Sequence, residues 1–379
     1  MKKYILILFL SGLFQAVFGQ ANKFDSLVTK GINEIYNLQF EDAEKTFSIV
    51  RNNYPKHPSG IFFDAMIDWW RIMIDFNNVE YDDNFIQKLE NVIDKCDNIL
   101  DDHPNNVDAI FFKGGALGFR ARLYAVRESW IDAAMDGKDA LPLVYEAYEI
   151  DPSNKDVQLG FGIYNYYAQV IPEQYPWVGP FLIFFPSGDK AKGIQQLITT
   201  AEEGRYAKIE AQYFLMTLYY SFENKMNEAL IYAQRLRRQF PDNPVFDKYY
   251  GRILVKSGNL TKAGEIFKAI LKKSKNGKRG YSSYYAREAH YYIGLDHFQK
   301  NNLDSSLVEF EICENISRKI DEEKETGFLA NSLLYQGMIY DLKNQKEKSK
   351  AKYEKVLTVD DYKDSHKKSK EFLRKPYKK

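Results

Sequence analysis

Along this chain small and apolar residues return at helical spacing, in a fixed order, between short polar turns. The order is clearest between Tyr213 and Leu271. Ala229 and Ala263 stand 34 residues apart, and around Ala263 lie Gly251 twelve residues earlier, Phe267 four later and Ile270 seven later. Offsets of three, four and seven share one face of an α-helix. Ala263, Phe267 and Ile270 therefore mark the buried face of one helix, and Gly251 belongs to the helix before it. Gly lets two antiparallel helices touch, and Ala is the small residue at their crossing. Phe and Ile fill the space between successive pairs. One hairpin cannot bury such a face alone, so the pattern predicts a stack of hairpins with a concave surface.

The same order recurs. Gly31, Ala43, Phe47, Val50 and Pro55 repeat it with offsets of 12, 16, 19 and 24 from the glycine, and Phe40 supplies an aromatic in the turn. Around Ala229 come Ala233, Leu236 and Pro241, with Thr217 in place of the glycine. Gly294, Ser306, Phe310, Cys313 and then Gly337, Ser349, Tyr353, Val356 keep the order without the closing proline. Between His57 and Gly204 the rhythm is stretched. Val92, Cys96, Ile99, Pro104 and Ala140, Val144, Ala147, Pro152 carry the second-helix half, behind longer first helices at 59–76 and 106–127. Turn signals at Asp102 and Asp151 punctuate them. A further hairpin runs from Asp156 to Ala168 and from Gly188 to Gly204. The reading gives about eight hairpins and no strand series. The apolar run Phe181 to Phe185 suits a strand by composition but is isolated.

These residues resemble the tetratricopeptide-repeat (TPR) family, most closely at 24–57 and 210–275, less at 287–360 and least at 58–204. The resemblance implies an all-α, right-handed TPR-like superhelix as one domain over 20–361. It also implies a non-enzymatic scaffold or adaptor that binds a protein or peptide segment in its concave face. The stretches "GGALGFRARLYAVRESW", "GFGIYNYY" and "FFPSGDKAKGIQQL" resemble TPR-type proteins exported by Gram-negative bacteria, a likeness that brings no chemistry with it. Some outer-membrane glycan-binding proteins are built on similar helices. Glycan or envelope-polymer binding by the aromatics is therefore the alternative, although the anchor cysteine usual in such proteins is missing here.

The first 19 residues change the picture of location. Lys2 and Lys3 precede an apolar run from Tyr4 to Phe18, and Gly19 offers a small residue for cleavage. This reads as a secretory signal peptide, too short for a bilayer span, and predicts a periplasmic protein. No other segment is apolar enough to cross a membrane. Cys96 and Cys313 sit at packing positions of second helices and read as small buried hydrophobes. In a stack only neighbouring hairpins touch, so the two should not meet.

Net charge is +1, but its distribution is uneven. Residues 64–108 hold twelve acidic and three basic side chains, and residues 362–379 hold eight basic and two acidic. Either run could steer a charged partner. The plainer reading is a solvated acidic face and a disordered basic tail. The tail could touch an anionic envelope surface by charge alone. Confinement of basic charge to one end argues against nucleic acid as a partner.

The chain has no phosphate loop, no nucleophile elbow and no His-Glu-x-x-His pair. Its glycine-rich "KGGALGFR" lies in a helical pattern. His290 and His297 share a helix face but stand about 10.5 Å apart along the axis, too far to share a zinc. No catalytic residue, metal site or cofactor is assigned. Partner-binding candidates remain. Arg120 and Arg127, with Arg122 between them, could receive a carboxylate or pair internally with the preceding acidic hairpin. Four prolines between Ile171 and Ser187 forbid a continuous helix. That insertion, with Trp177, Phe181, Phe184 and Phe185, is either a binding element or a plug, and Tyr164 lies on the helix before it. Lys248 and Arg252, one turn apart on a first helix, are the polar groups best placed in the concave face. Replacing both should leave stability nearly unchanged.

Overall fold

The computed structural model describes residues 23–174, 176, 186–321 and 325–379. The segment that reads as a signal peptide lies outside the described residues, as do Trp177, Phe181, Phe184 and Phe185. The fold is all-α and TPR-like, and no strand occurs among the described residues. Among the described residues the helices pair in order into eight hairpins. They are α1 (23–36) with α2 (Phe40–Asn53), α3 (Ser59–Ile74) with α4 (Asp82–Asp102), and α5 (Val107–Val126) with α6 (Trp130–Ile150). Then come α7 (Val157–Gln174) with α8 (Lys190–Glu203), and α9 (Lys208–Ser221) with α10 (Met226–Gln239). The last are α11 (Pro244–Lys256) with α12 (Leu260–Lys275), α13 (Ser283–Gln299) with α14 (Leu303–Ile320), and α15 (Gly327–Leu342) with α16 (Lys346–Val356). A single helix, α17 (Ser365–Arg374), closes the series. The chain forms two compact units, one through Tyr232 and one from Ala233 onward.

The turn inside a hairpin has one recurring design. Leu38, Glu128, Asn224, Gly258, Asn301 and Asn344 all take positive φ just after a first helix. The next amide then reaches back to the helix: Asn259 N to Leu254 O at 2.9 Å, and Asn302 N to His297 O at 2.9 Å. This left-handed cap satisfies carbonyls that the helix end leaves free. Asn259 then caps α12 by accepting from Lys262 N.

Across the hairpin the aromatic residue sits on the glycine. A methyl group added at Gly251 would come 2.7 Å from the Phe267 ring, and one at Gly294 would come 3.0 Å from Phe310. Gly31 with Phe47 and Gly337 with Tyr353 are closer still. The far side of each ring meets the next hairpin. Phe47 stacks on Phe63 at 5.3 Å, Phe267 on Tyr292 at 4.5 Å and Phe310 on Tyr335 at 5.0 Å. One aromatic thus closes its own hairpin and joins it to the next, where the sequence had suggested only the second task. In the stretched region α7 and α8 meet through glycines instead: a methyl at Gly193 would lie 2.8 Å from the Gly162 carbonyl.

Three expectations need correction. The helix read as ending at Ala168 runs on to Gln174, with Pro172 inside its last turn. The basic tail is not a disordered segment. It forms α17, whose buried Ser369 donates to the Tyr353 carbonyl at 2.8 Å while Phe372 packs on Tyr353. Nor do only neighbouring hairpins touch. Tyr206, in the turn before α9, donates to Asp25 on α1 at 2.9 Å, and Arg205 pairs with the same carboxylate.

Candidate functional site

In the first unit, α1, α3, α5 and α9 converge, each the first helix of its hairpin. Glu210 on α9 is buried and accepts two bonds, from the Tyr36 hydroxyl at 2.9 Å and from Arg122 Nη1 at 2.5 Å. The Arg122 guanidinium lies 4.7 Å from the Trp69 and Phe214 ring centroids and 5.5 Å from that of Tyr213. Tyr36 packs edge-on to Trp70 at 4.8 Å. Burial, then the Glu210 carboxylate, pushes the Tyr36 hydroxyl well above the usual tyrosine range. Burial opposes the Arg122 charge, and Glu210 together with Tyr213 and Tyr167 more than offsets it. The inner face that the repeat was expected to keep open is here packed with aromatic rings around an ion pair.

The two other arginines of this helix region are also committed internally. Arg120 binds Asp136 through Nε and Nη2, both at 2.7 Å, with Glu90 3.8 Å away. Arg127 binds Asp82 at 2.5 and 2.9 Å and donates to the carbonyls of Phe76 and Asn78. It therefore ties down the turn between α3 and α4. Tyr164 donates to the Pro186 carbonyl, at the edge of the undescribed insertion. Its hydroxyl is raised by burial and by Tyr145.

In the second unit Arg252 and Lys248 part company. Arg252 holds Glu288 on α13 through Nε and Nη2, both at 2.5 Å, and Glu288 is buried. Alanine at Arg252 would strand that carboxylate, so the expected neutrality toward stability does not hold there. Lys248 has no carboxylate within ion-pair reach among the described residues. Its ammonium lies 5.1 Å from the Tyr285 ring centroid and 5.8 Å from that of Tyr249. The side chain is half-buried on the wall of the first helices. Desolvation, then repulsion from Arg252, pushes its pKa down to about 8, against a smaller opposing effect of Glu288. A desolvated lysine with aromatic neighbours and no paired carboxylate has the chemistry to receive an anion.

His290 bonds to Glu309 at 2.6 Å. No group of His, Cys, Asp and Glu among the described residues could hold a metal ion. Both cysteines are buried and free. Among the described residues no helix is long and apolar enough to cross a membrane. A shallow groove over α17 is lined by His366, Lys367, Lys370, Arg374 and Lys375, with Asp361 and Glu371. Sequence reasoning missed the Tyr36–Glu210–Arg122 cluster, which joins residues up to 174 positions apart.

No protein-family model matches the chain, and no curated protein matches it. Among solved structures it is similar to a human IFIT1 dimer with PPP-AAAA. The identity is 13% and the TM-score 0.43, over 85% of this chain and 69% of that one. A likeness at this level bears on neither site nor ligand.

Proposed function

We propose that this chain is a non-enzymatic helical-repeat scaffold that holds an acidic or carboxylate-terminated protein segment against the first helices of its second unit. One observation carries the reading: Lys248 presents an uncompensated ammonium beside Tyr249 and Tyr285, while its neighbour Arg252 is already spent on Glu288. A ligand carboxylate would supply the missing charge, and the tyrosine rings would cover an apolar neighbour in the ligand. The lysine-led apolar start of the chain supports a place in the envelope of a Gram-negative bacterium.

The test is titration of the full chain with a fluorescent acidic peptide bearing a free C-terminal carboxylate. Lys248→Met should weaken binding roughly tenfold or more, the scale of one charge-assisted contact. Binding should also fall as pH rises through about 8, where Lys248 loses its proton. Binding that ignores both the substitution and the pH would remove Lys248 from the function.

A further inference from the structure

We propose that the outer face of α6 is a docking surface for a basic amphipathic helix of a partner protein. Helix α6 rests on α5 through Asp136, Ala140 and Ala147, which are its only buried residues. From α2 to α9, its contact with the following helix is the least extensive between consecutive helices. Val144 meets Gly160, and Tyr145 and Tyr148 meet Phe161, all near its C-terminal end. On the side turned away from α5 several large apolar residues are exposed. Ile131 is 63% exposed and Met135 60%, while Tyr145, although it meets Phe161, keeps 44% exposed. With the exposed Pro142 they fall on one side of the helix over about 21 Å at 1.5 Å per residue, with the exposed Lys138 between Met135 and Pro142. Other large exposed apolar residues outside 126–150, such as Ile49, Val79, Ile231 and Val308, are scattered along the chain. Isolated ones need no explanation, but the concentration of such residues on and beside α6 marks a contact surface.

Charge selects the occupant. Asp132, Asp139, Glu146 and Glu149 are exposed on or beside this side of the helix, against one exposed lysine, Lys138, which lies between Met135 and Pro142. A second copy packed face to face would set these carboxylates against themselves. An anionic lipid surface would be repelled by the same flank. An extended strand would find no backbone partner on a helix surface, whereas a helix brings its own backbone bonds already made. An apolar seam edged with Lys or Arg fits both the length and the charge.

The probe is a labelled synthetic peptide of about 18 residues, leucine on one helical face and lysine elsewhere, with a leucine–glutamate counterpart. Fluorescence anisotropy with the full chain should show binding of the lysine peptide only. Ile131→Ser with Met135→Ser should weaken it roughly tenfold without lowering the melting temperature, because both sites are exposed. Asp139→Lys with Glu146→Lys should weaken it as well, and Lys248→Met should leave it unchanged. Equal binding of the glutamate peptide, no binding, or indifference to the serine pair overturns the proposal. A dimer that sedimentation detects and the serine pair dissolves would assign the face to a second copy and overturn it too.

Discussion

Arg122 and Glu210 lie 88 residues apart in sequence and share a 2.5 Å hydrogen bond. Glu210 is buried, while Arg122 keeps 23% of its side chain exposed. Removing one partner of a buried pair costs about 3–5 kcal/mol, and the partial exposure of Arg122 places Glu210→Ala at or below the lower end. Arg122→Met with Glu210→Met should lose much less than either single change, since no charge is stranded. Urea unfolding of the three variants measures this, and equal losses in all three would refute it.

Gly251→Ala should destabilise by about 1–3 kcal/mol, the usual cost of overpacking, because the new methyl meets the Phe267 ring at 2.7 Å. Pairing it with Phe267→Leu should recover part of the loss. Thermal melting of both variants is the check, and an unchanged melting temperature for Gly251→Ala would mean the hairpin is less tightly closed.

Lys248 titrates near 8 in the folded chain and near 10.5 when unfolded. Between those values the unfolded chain holds a proton that the folded chain has lost, so this residue makes stability rise with pH across that window. Below it the fold carries an unfavourable charge. Lys248→Met should therefore be more stable than the parent at neutral pH, with the advantage shrinking above pH 8. Urea midpoints measured across the window would show a constant difference if the ammonium were not desolvated.

Glu128 is exposed and held at φ 61° in the turn between α5 and α6. The left-handed region costs a side-chain-bearing residue about 1–2 kcal/mol, and glycine's greater entropy loss offsets about half of that. Glu128→Gly should accordingly gain up to about 1 kcal/mol. A loss of stability would show that the Glu128 side chain contributes more than its backbone costs.

Burial pushes the thiols of Cys96 and Cys313 up to about 12. Neither should react with a thiol reagent at neutral pH until the chain unfolds, because the thiolate is the reactive form. Labelling followed by mass spectrometry, with and without urea, reads this directly.

The sequence by itself determined the hairpins and their register. Gly251 with Phe267, and Gly294 with Phe310, lie sixteen residues apart, so the contact that closes each hairpin is written locally. Helical spacing, a small residue at the crossing and an aromatic over it have few other solutions. The turns were legible where Gly258, Asn301 and Asn344 occupy the left-handed position, and hidden where Leu38 and Glu128 do. The partners of the charged residues were decided only by tertiary structure. Arg122, Arg127 and Arg252 looked alike as groove cations, yet each is held by a carboxylate 36 to 88 residues away, and Lys248 alone among these four is left without one. A chain rich in Asp and Glu offers every arginine many equivalent partners at the level of sequence. Which of them meet depends on how α1, α3, α5 and α9, or α11 and α13, are brought face to face, and that placement comes from the packing of whole hairpins.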